Sequence, residues 1–342
     1  MQKIEAELSS QTINLCGKPM SEKESEKWLG DQIHCLGNDQ SVITTVKKRY
    51  GVAMSTIMDI KNIMEDTRTS VTGGLMSSIQ MYELCVIPYI LNNCDVWDNV
   101  PKEAIDILDK IQTAFYCYLF NTPRKGTPHA GLLWESGGTC MKLRILKKQL
   151  NFYHHLKNLD GQCLAKSITD IQSRNNYPGL IKVCEEKLLN LGLSHLKPCE
   201  LSKQSWSRAI NNKIKDENRS MILNIIKGYK KLDYFSLKKE EFCMKDYLKT
   251  MNIKDARLFF RTRVSLVPGI KFQYKSDPKF SASLWSCDLC EKAGEYNLDS
   301  FSHVLWCPEL AQLRKDRDIN DDQHLVNYVR DAMRIREEAS SN

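Results

Sequence analysis

"SVITTVKKRYGVAMSTIMDIKNIM", residues 41–64, is where the patterning of the chain changes. Val42, Val46, Val52, Ile57, Ile60 and Ile63 line up at helical spacings through Met64. A 3.6-residue period gathers such side chains on one helix face, so the stretch predicts an amphipathic helix. The same period governs most of the remaining chain. Gly73-Gly74 interrupts it, and a second helix is expected from about Met76 to Asn93, kinked at Pro88. Pro101 suits a first helical position, and Ala104 to Phe120 form a third helix with Ile107, Ile111, Phe115 and Leu119 as its buried stripe. "NTPRKGTPHAGLLWESGG", residues 121–138, reads as a connector with a short helix, followed by a long amphipathic helix from Thr139 to Leu159. A boundary is expected at Asp160-Gly161. Shorter helices follow over Cys163–Arg174 and Gly179–Leu191, then a longer one over about Leu201–Leu232 and another over Lys239–Met251, and one more ends near Pro268-Gly269. Ahead of Ser41 the period is two. Thr12–Leu15 and Trp28–His34 read as strands, the second closed by Asn38-Asp39, with Gly30 inside it as a bulge or a close backbone approach. The fold class is mainly α with a short N-terminal β-hairpin.

The 342 residues suggest two or three units, and an apolar content of 42% is enough to bury real cores. A net charge of +7 is mildly basic and by itself names no partner. Of thirteen cysteines, Cys85, Cys117 and Cys184 sit inside helical patterns and read as reduced, buried residues. "MQKIEAELSS" has no apolar signal core, which argues against a secreted disulfide scaffold. "CVIPYIL", the longest apolar run, is far too short to span a bilayer. The expectation is a soluble, intracellular chain, nuclear or cytoplasmic, with no membrane contact.

"CDLCEKAGEYNLDSFSHVLWC" opens at Cys287 and closes at Cys307. Cys287 and Cys290 can share one tight knuckle. His303 and Cys307, four residues apart, share one face of a helical turn, with Asp299 or Ser300 as its N-cap. Cys and His are the usual ligands of tetrahedral zinc, and four protein ligands leave no open position, so the site reads as structural zinc. The alternative is three free cysteines and a surface histidine. Gly294 and Ser300 stand where a two-Cys two-His finger wants its aromatic and its leucine, which argues against a ββα major-groove reader.

Arg144, Lys147, Lys148 and His155 form one basic stripe on the helix after Thr139, able to track phosphates or to be an ordinary solvated face. Arg257, Arg261 and Arg263 surround Phe259-Phe260, a mixture that can stack bases and contact backbone, unless the rings are core and the arginines surface. Phosphate-loop, dinucleotide, nucleophile-elbow and H-E-x-x-H motifs are missing from the sequence. Asn320-Asp321-Asp322 reads as solvated charge, and His154-His155 point in different directions on their helix.

Taken together, the chain resembles the C-terminal part of the reverse transcriptase polyprotein of non-LTR retrotransposons. "EKWLGDQI" (26–33) resembles the primer-grip hairpin, through Trp28, Leu29, Gly30 and Asp31. "CDVWDN" (94–99) resembles the thumb segment. Pro123, Thr127, Pro128, Leu132, Glu135 and Gly137 match the family's connector, and "FFRTRV" with Cys287, Cys290, His303 and Cys307 resembles its tail with a CCHC zinc knuckle. The resemblance implies a palm remnant at 1–40, a helical thumb-like domain at 41–160, a helical connector at 161–275, the knuckle at 276–312 and a terminal helix or tail at 313–342. Fingers, catalytic palm and endonuclease are expected to be absent from these residues. The resemblance therefore implies a nucleic-acid-binding fragment, with template–primer or element RNA and DNA as partners and no catalysis by this chain alone. The alternatives are a piece of an intact RNA-directed DNA polymerase and a helical zinc-containing adaptor for proteins.

Overall fold

The computed structural model describes residues 38–66, 72–175, 177–228, 241–264, 266, 286–295, 301–315 and 321–341, with strand and turn residues 14–15, 18–19, 25–28 and 30–34 ahead of them. The chain is mainly helical, as its patterning predicts. Two small antiparallel pairs precede the helices: β1 (Asn14–Leu15) with β2 (Lys18–Pro19), and β3 (Ser25–Trp28) with β4 (Asp31–His34). Trp28 pairs with Asp31, and Gly30 lies in the turn that joins the two strands. Gly30 is therefore not a bulge inside a strand. It supplies the positive φ (94°) the turn requires.

Asn38-Asp39 opens α1 (Asn38–Asp66). Val42, Val46, Arg49, Ala53, Ile57, Ile60 and Met64 form its buried stripe at intervals of three and four. Val52 and Ile63, expected on that stripe, are 52% and 50% exposed. The stripe runs instead through Ala53 and the stem of Arg49, residues that a search for large aliphatics passes over. Arg49 donates to Gly30 O (3.0 Å), Asp31 Oδ1 (2.5 Å) and Asn92 O (2.8 Å), tying the hairpin to two helical segments.

α2 (Gly74–Met81) passes through a widened π turn (Tyr82–Val86) into α3 (Ile87–Ile90). Pro88 lacks an N–H, and the π turn lies directly ahead of it, in the segment where the kink is expected. α4 (Lys102–Phe120) is the central helix. Tyr82 stacks on its Phe115 at 4.0 Å. α5 (His129–Ser136) and α6 (Met141–Lys157) follow, then α7 (Leu164–Asn175), α8 (Leu180–Asn190) and α9 (Lys203–Lys227). α9 packs on α5 and α6. Its fully buried Asn218 accepts from Cys140 N (3.2 Å) and donates to Gly138 O (3.0 Å), pinning the chain between those helices. The helix expected over Lys239–Met251 is only α10 (Tyr247–Thr250), since residues 241–246 run past α5 as a bridge. Residues 229–240 lie outside the described residues. α11 (Ile253–Arg263) stops before the Pro268-Gly269 expected to end it, which also lies outside them.

The connector motif has a physical reading at each step. Thr127 Oγ1 donates to Pro123 O (2.6 Å), Pro128 precedes α5, Leu132 is core, and Glu135, fully buried, meets Arg263 of α11 at 2.9 and 3.0 Å. Gly137 takes φ 65° where a Cβ would sit 2.5 Å from Met244 N, so only glycine fits.

Burial pushes the Asp109 carboxyl on α4 up from 3.8 to about 6, against a hydrogen bond from the Met141 backbone. A raised folded-state value means stability is fully present below about pH 4 and is lost as pH climbs through 6. Asp109→Asn should therefore stabilise the fold at pH 8 by about 3 kcal/mol at most, and by nothing at pH 3.5. Thermal melts at the two pH values check this.

Candidate metal centre and basic surfaces

The C-terminal module is small. Cys287 precedes α12 (Asp288–Lys292), which carries Cys290. α13 (Phe301–Trp306) carries His303, and Cys307 follows directly, before a 3-10 turn opened by Pro308. The expected N-caps Asp299 and Ser300 lie outside the described residues.

Sequence spacing and structure agree on the outcome: one ligand atom from each of Cys287, Cys290, His303 and Cys307 lies within 4.8 Å of all the others. Cys290 Sγ is 3.3 Å from His303 Nε2 and 3.5 Å from Cys307 Sγ. Tetrahedral zinc with bonds of roughly 2.0–2.3 Å has ligand–ligand edges of about 3.5–3.8 Å, close to the two Cys290 edges, and separations of up to 4.8 Å would have to draw in by about 1 Å around such an ion. The three cysteines are buried and His303 is half-buried. Burial, reinforced by Cys290 and Cys287, pushes the Cys307 thiol up to about 12, so a thiolate there needs a cation beside it.

The cage is fastened to its surroundings. Arg314 donates to Cys307 O (2.9 Å) and Leu305 O (3.1 Å), fixing the turn that holds two ligands. α14 (Ala311–Lys315) carries that arginine, and α15 (Asp322–Ser341) closes the module. Asp321 Oδ1 accepts from His324 N (2.9 Å) and caps α15; Asp321 and Asp322 are exposed, and Asn320 lies outside the described residues. Tyr328 donates to Val304 O (2.7 Å), and Arg336, 4% exposed, reaches Cys287 Sγ at 3.9 Å. Three thiolates and a neutral imidazole around a dication leave one negative charge, which a buried guanidinium offsets. Arg336 has no sequence signal of its own. It follows the last ligand by 29 residues and only the fold brings it back.

The basic residues are dispersed by the structure. Arg144 makes a bidentate pair with Glu83 (both 2.6 Å) and donates to Thr139 O, and Lys148 donates to Leu91 O (3.2 Å). Lys147 and His155 are exposed. The four do not form one free stripe. Arg257 donates to Leu119 O (2.9 Å) and Tyr118 O (3.3 Å), and Arg261 to Asn121 O. Together they cap the C-terminal carbonyls of α4, where cations also suit the helix dipole. Arg263 pairs with Glu135. Phe259 and Phe260 are fully buried, and Phe260 stacks on Phe120 at 3.8 Å. All three arginines thus have internal partners, and the rings are core. In the grip-like segment, Asp31 is held by Arg49, Trp28 lies in β3, Gly30 in the turn, and Leu29 outside the described residues. Trp97 of the thumb-like segment is buried and accepts from Gln149.

Among the described residues no helix is long and apolar enough to cross a membrane. Compared with family models, curated proteins and solved structures, the chain matches none.

Proposed function

We propose that the chain is a nucleic-acid-binding fragment of a non-LTR retrotransposon-type reverse transcriptase, a helical thumb-like body ending in a structural zinc knuckle. It acts in the nucleus or cytoplasm on template–primer or element RNA and performs no catalysis alone. The observation that carries the reading is at the end of α13: His303 within it and Cys307 directly after it belong to the cage while Trp306 between them is 65% exposed, with the Arg314 guanidinium 5.7 Å from its ring. A metal held by the neighbouring side chains makes the indole a rigid platform. Exposed aromatics beside arginine suit unstacked bases. The order of the grip-like, thumb-like, connector and knuckle motifs supports the same reading.

Fluorescence anisotropy with labelled single-stranded, duplex and hybrid oligonucleotides across a salt series tests it. Binding should be sequence-tolerant and should weaken steeply with salt. Trp306→Ala should lower single-strand affinity by about 1–3 kcal/mol, the size of one lost base stack, without changing the zinc content. Absence of binding to every oligonucleotide at low salt would overturn the reading.

A further inference from the structure

Between α6 and α9 runs a trough that neither helix reveals alone. It consists of two cavities, of about 530 and 450 Å³, that share Lys148 as a lining residue. The first lies between residues 144–148 of α6 and 211–215 of α9, the second between 148–158 and 203–207, so the two helices border it in antiparallel order. Lys147, Lys148 and Lys215 line the first cavity, and Lys148 and Lys203 the second. Lys147, Lys203 and Lys215 are exposed and have no ion pair or hydrogen bond among the described residues. Asp95 is the one unpaired carboxylate among the lining residues, and Arg144 is neutralised by Glu83. The trough is therefore cationic along its length. Lys203 to Lys215 is about 18 Å at 1.5 Å per helical residue.

The floor is different in kind. Leu91, Ile214 and Phe242 line the first cavity, and in the second the Phe152 and His155 rings sit 6.2 Å apart. Phosphates need the lysines, whereas only bases and sugars gain from an apolar floor and a ring pair. A duplex presents phosphates on a convex cylinder and keeps its bases stacked inside, so it can reach the rim but not the floor. A small phosphate ligand would use one cavity and leave the other idle.

We infer that the α6–α9 trough is the path of a single nucleic-acid strand, with phosphates on Lys147, Lys148, Lys203 and Lys215 and a base against Phe152 and His155. At about 3.4 Å per stacked nucleotide it holds roughly five. The inference rests on the nucleic-acid reading above and assigns that reading a site distinct from the knuckle.

The test uses the full chain with labelled single strands of about a dozen nucleotides, as DNA and as RNA, and the corresponding duplex. Lys147→Gln/Lys215→Gln is compared with Lys102→Gln/Lys110→Gln, an equal charge change on exposed positions of α4. The trough pair should lose about tenfold or more in single-strand affinity at low salt and flatten the slope of log affinity against log salt by about 1.4, at about 0.7 per phosphate contact. The control pair should change affinity less than about twofold, as distant exposed charges are screened. Phe152→Leu should weaken single-strand binding with the slope unchanged, the signature of a lost stack rather than a lost ion contact. Equal effects of the two lysine pairs, or a larger loss on duplex, would overturn the trough and leave the nucleic-acid reading standing. Failure of the unmodified chain to bind any strand would overturn both.

Discussion

Cys290→Ser should abolish metal binding and melt the C-terminal module while the helical body stays folded. The serine hydroxyl is a poor zinc ligand, and losing one of four ligands opens a cage that has no other covalent or metal fastening. Structural zinc contributes on the order of 10 kcal/mol to folding of small modules, far more than α12 or α13, at five and six residues, could supply. Hydrogen exchange should report lost protection over residues 286–315 and in the Tyr328–Arg336 part of α15, which leans on the cage through Val304 and Cys287. Protection over α1, α4 and α6 should persist, because their stripes bury one another. The first turn of α15 should loosen least, since Gln323 is held by Asp255 of α11. Protection of residues 286–315 unchanged in Cys290→Ser would show that the module folds without a metal. Arg336→Gln should leave zinc bound and speed thiol modification, since it removes the positive charge beside Cys287.

Arg263→Met should cost about 3–5 kcal/mol, the usual penalty for stranding one member of a buried ion pair. Glu135 is 0% and Arg263 3% exposed. Burial already pushes the Glu135 carboxyl above the ordinary glutamate range, with Arg263 as the chief opposing influence, so removing the guanidinium leaves a carboxylate the interior cannot tolerate. The double change Glu135→Leu/Arg263→Met should recover most of the loss, because an apolar pair of similar volume needs no desolvation. Urea midpoints of the three proteins decide the matter. A loss below about 1 kcal/mol in the single variant would mean that water reaches the pair.

Range along the chain decided which features were legible in the sequence. The long helices were legible because a helix stripe is a local repeat, and the cage because four chemically unusual residues fall within 21 positions of one another. The functions of the arginines were not. Arg49, Arg257, Arg261 and Arg263 look like surface charge in one dimension, yet each reaches carbonyls or a carboxylate from 18 to 140 positions away. Val52 and Ile63 misled for the opposite reason, as large aliphatics one position off a stripe that runs through Ala53 and an arginine stem. The trough was hidden likewise, since its lysines come from two helices and those on one lie at least 55 positions from those on the other.

The most direct measurement is elemental analysis of the purified chain, combined with native mass spectrometry before and after a strong chelator. About one zinc per chain is expected, from one complete four-ligand set, released only as the C-terminal module opens. A folded, exchange-protected module over residues 286–315 in protein that carries no metal, isolated without any chelator, would contradict the zinc-knuckle reading outright.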